Sequence, residues 1–255
     1  MTNKILTSAA LVLMAVACNT ETQTPLQYGE LSVALTGEPS VEVVTKAPET
    51  LDPASDQAKN YTVRIFDSSD APVYEKAFNE FEAQRLTLGT YYVTAENCTA
   101  TAAEEGRGMK RLYGRSADIT LSAEALSQTA TVNCTVANAR VAVAFDASTQ
   151  GRFTDLKVVL SPNGRNIEIA QTAVGVETET WFNPSTVEYT ITGTFSAGGV
   201  TKEVNIAKSV TVEAKNNVLL LVKVNLENGQ LMPNVTVDAS IDNQVEVPSE
   251  FNPYI

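Results

Sequence analysis

From Gly29 onward the chain alternates short β-branched runs with turn residues, and nowhere does it hold a helical period for more than about two turns. Leu31-Ser32-Val33-Ala34-Leu35, Tyr61-Thr62-Val63-Arg64-Ile65-Phe66 and Ala139-Arg140-Val141-Ala142-Val143-Ala144-Phe145 place apolar residues at every second position. Such alternation buries one face of a strand and wets the other, the signature of half-buried antiparallel strands. Turn chemistry falls between the runs. Asn163-Gly164 separates Leu156 to Leu160 from Ile167 to Ala170, and Gly198-Gly199 separates Tyr189 to Phe195 from Val200 to Ile206. Both are hairpin signals, because asparagine and glycine accept positive φ at little cost. Further strands are expected near Val73 to Phe78, Tyr91 to Glu96, Ala117 to Leu121, Thr129 to Val136, Lys208 to Glu213, Val218 to Leu226 and Val235 to Ile241. The best helical candidate is the short stretch Asn79 to Arg85.

Many short strands without intervening helices predict an all-β fold. One sandwich uses roughly 100 residues, and more than twice that length follows Gly29. The expectation is therefore two tandem antiparallel β-sandwich domains of transthyretin-like or Ig-like type, residues 29–137 and 138–255. No Pro/Gly/Ser linker marks the division at Ala137-Asn138, so the two are expected to join closely. Ala47 to Asn60, with two prolines and several acids, is expected to be an exposed loop.

The first 28 residues read differently. Lys4 is followed by an almost unbroken apolar run, Ile5 to Ala17, and then Cys18. A bilayer-spanning helix needs roughly 20 apolar residues, so residues 1–17 are predicted to be an export signal and residues 18–28 a polar tether. Ala15-Val16-Ala17-Cys18 resembles a bacterial lipobox. The resemblance implies cleavage before Cys18 and acylation of that cysteine, tethering the chain to the outer membrane without a transmembrane helix. Two acyl chains anchor stably where one does not.

An exported chain folds in an oxidising compartment, where the remaining pair, Cys98 and Cys134, suits a disulfide. It would contribute on the order of 3 to 4 kcal/mol in the chain-entropy model; two buried thiols are the alternative. A formal net charge of -12 argues against nucleic-acid partners, whose phosphates are held mainly by Lys and Arg. The chain contains no histidine, the residue on which triads, zinc sites and most general-base mechanisms lean. We therefore expect no enzymatic activity, no cofactor and no metal site.

Few side-chain groupings suggest chemistry. Arg107, Lys110, Arg111 and Arg115 form the one basic cluster, but its glycines lack the ending of a phosphate loop. It reads as a solvated loop. Trp181 and Phe182, with Tyr189 nearby, could present a sugar-stacking face, although a lone tryptophan is commonly a core residue. Glu104-Glu105 and Asp52 with Asp56 match no calcium loop.

Several stretches are similar to those of a family of lipid-anchored proteins of Bacteroides-type bacteria, within the fimbrillin-like, type V pilin superfamily. They are Val41-Glu42-Val43-Val44-Thr45-Lys46-Ala47, Tyr61-Thr62-Val63-Arg64-Ile65, Gly89-Thr90-Tyr91-Tyr92-Val93-Thr94-Ala95-Glu96-Asn97-Cys98, Met109-Lys110-Arg111-Leu112-Tyr113-Gly114 and Cys134-Thr135-Val136-Ala137-Asn138-Ala139-Arg140-Val141. The resemblance implies paired transthyretin-like sandwiches and a surface role in adhesion or as a fimbrial subunit. It also implies that a protease of trypsin-like preference removes the first strand after a basic residue. A neighbouring subunit's strand then fills the groove. Lys46, before Ala47, matches that position, with lysine where arginine is commoner. An accessory glycan-binding outer-membrane lipoprotein is the alternative function. Protein purified from its own cell envelope is expected to begin at an acylated Cys18, which intact mass measurement checks directly.

Overall fold

The computed structural model describes residues 26–37, 49–55, 58–225, 230–237 and 247–248. In the first half of the chain lie β1 (Tyr28–Gly37), β2 (Glu49–Thr50), β3 (Thr62–Asp67), β4 (Pro72–Ala77), β5 (Gln84–Thr87), β6 (Gly89–Glu96), β7 (Leu112–Arg115), β8 (Ile119–Leu121) and β9 (Ser127–Val136). They hydrogen-bond into one nine-stranded sheet of order β2-β1-β9-β7-β6-β3-β4, with β5 against β1 and β8 against β6. The two-residue period is visible in β9, where Ala130, Val132 and Cys134 are buried while Thr129, Thr131 and Asn133 face solvent.

The second half contributes β10 (Ala139–Phe145), β11 (Phe153–Pro162), β12 (Ile167–Ala170), β13 (Thr178–Phe182), β14 (Ser185–Ala197), β15 (Val200–Val212), β16 (Asn217–Asn225), β17 (Gln230–Val237) and β18 (Val247–Pro248). Their sheets run β13-β10-β16-β17-β18 and β12-β11-β14-β15. Both hairpin signals are used. Asn163 and Gly164 turn β11 into β12 at φ of 48° and 77°, and Gly198 and Gly199 turn β14 into β15 at 60° and 81°.

Buried apolar residues separate along the chain. One cluster draws on residues from Leu31 to Cys134, including Val63, Ile65 and Val93. A second draws on residues from Ala139 to Val222, including Leu160, Phe182 and Ile191. Phe195, Val204 and Val224 form a small third cluster towards the end of the long β14–β15 hairpin.

Where the halves meet, the contacts are polar. Asn138 is fully buried; its Oδ1 accepts from the Arg111 backbone N–H at 3.0 Å and its Nδ2 donates to the Met109 carbonyl at 2.7 Å. Its own carbonyl accepts from the Lys215 N–H at 2.9 Å. Nearby, the Trp181 N–H donates to the Arg107 carbonyl at 2.8 Å, and Glu104 Oε1 accepts from the Asn183 N–H at 3.1 Å. Gly108, at φ 78°, passes so close that a Cβ there would stand 2.2 Å from the Trp181 carbonyl oxygen.

Four expectations are corrected. The sheets are mixed, since β1 runs parallel to β9 and β10 parallel to β16. Asn79 to Arg85 holds no two-turn helix: a 3-10 turn at Phe78–Glu80 leads into β5. Ala47 to Asn60 is not wholly an exposed loop, because β2 and a 3-10 turn at Ala58–Asn60 lie in it, Ala58 is buried, and Leu51 packs on the first core.

The fourth is the disulfide between Cys98 and Cys134, which are free thiols. Cys134 lies on β9 and Cys98 follows the end of β6, and β7 separates those two strands. Two strand spacings are about 9.6 Å, beyond the ~7 Å Cα separation that a bridge tolerates. The Cys134 thiol instead donates to the Ala95 carbonyl at 3.6 Å, and the Cys98 thiol to Asn97 Oδ1 at 3.6 Å. Burial pushes the Cys134 thiol up to about 12 and raises that of Cys98. In denaturant, an aromatic disulfide reagent is expected to titrate both thiols without prior reduction, and in the native protein Cys134 should not react.

Candidate functional site

The part of the fold that most resembles a receptor is the slot that β1 fills. Its sequence, Tyr28-Gly29-Glu30-Leu31-Ser32-Val33-Ala34-Leu35-Thr36-Gly37, alternates so that Leu31 and Leu35 enter the first core at 0% and 1% exposure. On one side β1 runs parallel to β9 in unbroken register from Glu30↔Ser127 to Gly37↔Cys134. On the other it is antiparallel to two short pieces, β5 opposite Tyr28 to Leu31 and β2 opposite Thr36 and Gly37. The middle of that side is sparser, although the Leu51 N–H donates to the Leu35 carbonyl at 2.8 Å.

Polar side chains fix the register on the outer face. Ser32 Oγ donates to the Gln128 carbonyl at 3.2 Å and lies 2.8 Å from Thr129 Oγ1, while Thr36 Oγ1 donates to Asn133 Oδ1 at 3.3 Å. At the start of the slot the Glu30 N–H donates to the Leu126 carbonyl at 2.6 Å. A Cβ on residue 29 would lie 2.7 Å from that same oxygen, so the site selects glycine there.

β1 is thus an inner strand of the sheet, joined to β2 by residues 38–48 of the chain. Lys46 and Ala47 fall in that stretch and lie outside the described residues, as does Cys18. Without β1, the core would lose two leucines, each worth about 1.5 to 3 kcal/mol of burial, and β9 would present bare backbone groups along its edge. Such an edge pairs readily with another strand.

The proposed sugar face does not assemble. Phe182 and Tyr189 are interior, at 0% and 1% exposure, and both belong to the second core; Trp181 is half-buried at the joint. The basic cluster does not converge either. Arg111 Nη2 pairs with Glu96 Oε2 at 2.8 Å, and its guanidinium lies 5.0 Å from the Tyr113 ring centroid. Arg115 pairs with Asp118 at 2.8 Å and lies over Tyr92 at 3.9 Å. Asp52 accepts from the Ala54 N–H and closes a turn, while Glu104 serves the joint. Among the described residues no group of three or more His, Cys, Asp or Glu side chains could hold a metal ion.

Sequence reasoning missed Glu96. It is 7% exposed and sits between Arg64 (Nη1–Oε1 2.6 Å) and Arg111, clamping β3 and the loop after β6 to the sheet. Charge alternation along single strands could not reveal it, because the three residues meet only after pairing.

A family model described as "Domain of unknown function (DUF4493)" matches residues 27–252, a span that takes in β1. Among solved structures, the chain is similar to a "putative cell adhesion protein" from Bacteroides eggerthii, with 14% identity over 79% of this chain and 88% of that one and a TM-score of 0.46. It is also similar to a fimbrial assembly protein from Parabacteroides distasonis, with 14% identity, 83% and 99% coverage and a TM-score of 0.42. A third is the fimbrial anchor protein Mfa2 from Porphyromonas gingivalis, with 10% identity, 86% and 99% coverage and a TM-score of 0.42. No curated protein matches.

Because Leu31 and Leu35 fill the slot, Leu31→Ala and Leu35→Ala should each destabilise the protein by about 2 to 5 kcal/mol in chemical denaturation. Ser32→Ala, which removes an outer-face hydroxyl, should cost about 1 kcal/mol or less.

Proposed function

We propose that this chain, which belongs to the family described as Domain of unknown function (DUF4493), acts at the cell surface in adhesion or as a fimbrial subunit. In this reading acylated Cys18 holds it to the outer membrane, and its two larger hydrophobic cores correspond to two β-sandwiches, residues 29–137 and 138–255. It works by binding and assembly, not by catalysis.

The observation that carries the reading is the situation of β1. A first strand that fills a core, pairs in parallel with a strand far along the chain, and is followed by a basic residue before β2 is well suited to exchange. Hydrolysis of the Lys46-Ala47 peptide bond would leave a new carboxylate on Lys46 and a new amine on Ala47. β1 would then be held by non-covalent contacts alone. A strand from a neighbouring subunit could take its place, gaining the same pairing with β9. The resemblance of the sequence stretches to fimbrillin-like proteins supports this assignment.

Limited trypsin treatment of the purified protein tests the mechanism. A cut after Lys46 is expected to let the β1 fragment leave as a neighbouring subunit's strand replaces it, yielding oligomers that resist cold detergent and dissociate on heating. Lys46→Ala should abolish both. A protein that is cut yet stays monomeric as its first strand leaves would reject strand exchange and favour adhesion by a single anchored copy.

A further inference from the structure

Exposed apolar side chains are not spread evenly over this acidic protein. Among the described residues six large hydrophobic side chains stay exposed, and three of them, Leu26 (71%), Tyr28 (39%) and Leu126 (47%), gather where β1 begins. A shallow cleft of about 340 Å³ opens there, lined by Tyr28, Gly29, Glu30, Arg85 and Leu126 among others. The Arg85 guanidinium lies over the Tyr28 ring, 4.5 Å from its centroid. Clustered exposed apolar surface marks an interaction site.

The place of this patch in the fold suggests its occupant. β1 and β9 both start beside it and run side by side towards the joint, so it lies at the far end of the first half, about 30 Å from the joint along the ten residues of β9. Cys18 precedes Leu26 by eight residues, a span of at most about 28 Å. The end of the first half that carries exposed leucines among the described residues is therefore the end that an acylated Cys18 must keep close to the bilayer.

We propose that this patch rests on the surface of the membrane that holds the acyl chains. The inference depends on the anchoring role given to Cys18. Leu26 and Leu126 enter the boundary between headgroups and acyl chains. Tyr28 and Arg85 stand at headgroup level, where an aromatic ring with a polar tip and a guanidinium on an apolar stem are both favoured. Arg85 meets lipid phosphate, and the carboxylate of Glu30 meets the cationic part of a zwitterionic headgroup. With a net charge of -12 the rest of the surface is repelled by anionic lipid, so contact at this pole fixes one orientation, with the second half held away from the membrane.

The test uses the full acylated protein reconstituted into phosphatidylcholine vesicles. Trp181 is replaced by Phe, and a single reporter is introduced as Leu126→Trp or, in the second half, Val176→Trp, both at exposed positions. On reconstitution the reporter at 126 should shift to the blue and lose most of its emission to brominated phosphatidylcholine, while the reporter at 176 should do neither. If the protein floats with the vesicles and the reporter at 126 is not quenched, the anchor stands and the membrane contact is rejected. If the protein carries no acyl group and does not float, the anchor reading fails and the contact falls with it. A lipid-free blue shift at 126 that grows with protein concentration would assign the patch to a second copy of the chain, and would likewise overturn the proposal.

Discussion

The first half of this protein depends on a parallel ladder between strands far apart in the chain. Glu30 pairs with Ser127 and Gly37 with Cys134, so the strand that is made first waits for the one made last. Until β9 is in place, Leu31 and Leu35 lack the part of their core that Ala130, Val132 and Cys134 supply. The long loop that must be closed slows such pairing, because its entropy is lost before contacts compensate. The second half repeats the device. There β10 also opens the unit and runs parallel to a late strand, β16, from Arg140↔Asn217 to Phe145↔Val222.

The two halves are coupled by backbone groups. Asn138 serves three backbone partners from a fully buried position, and Glu104 and Gly108 bring the loop before β7 against β13. A buried polar group of this kind is costly when unmet and directional when satisfied. It therefore specifies one arrangement of the halves where an apolar seam would tolerate sliding. Trp181 takes its meaning from this contact: its backbone joins the halves, and the residue is half-buried there.

Strand content was legible because burial on one face writes a two-residue period, and Asn163-Gly164 and Gly198-Gly199 named their turns. Pairing direction was not, since a strand's period is the same whether its neighbour runs parallel or antiparallel. Phe78 and Phe81 have a helical spacing, but Phe78 goes into the core from a single turn and Phe81 packs near Tyr74, at 5.5 Å between ring centroids. The basic run from Arg107 to Arg115 looked like a charged loop, yet it contains β7, because Glu96 and Asp118 neutralise two of its arginines where they emerge. The cysteine pair suggested a bridge by number and compartment alone, and the strand between them could be known only from the sheet order.

The shared direction of β1 and β9 also decides how the protein answers force. A pull between the chain's N-terminal end and its second half draws β1 by its first residues and β9 by its last. Two parallel strands loaded at opposite ends are sheared, so their hydrogen bonds bear the load together and must fail together. Strands pulled apart from a common end would instead unzip one bond at a time. Tension applied along this path meets the fold in its mechanically strong direction.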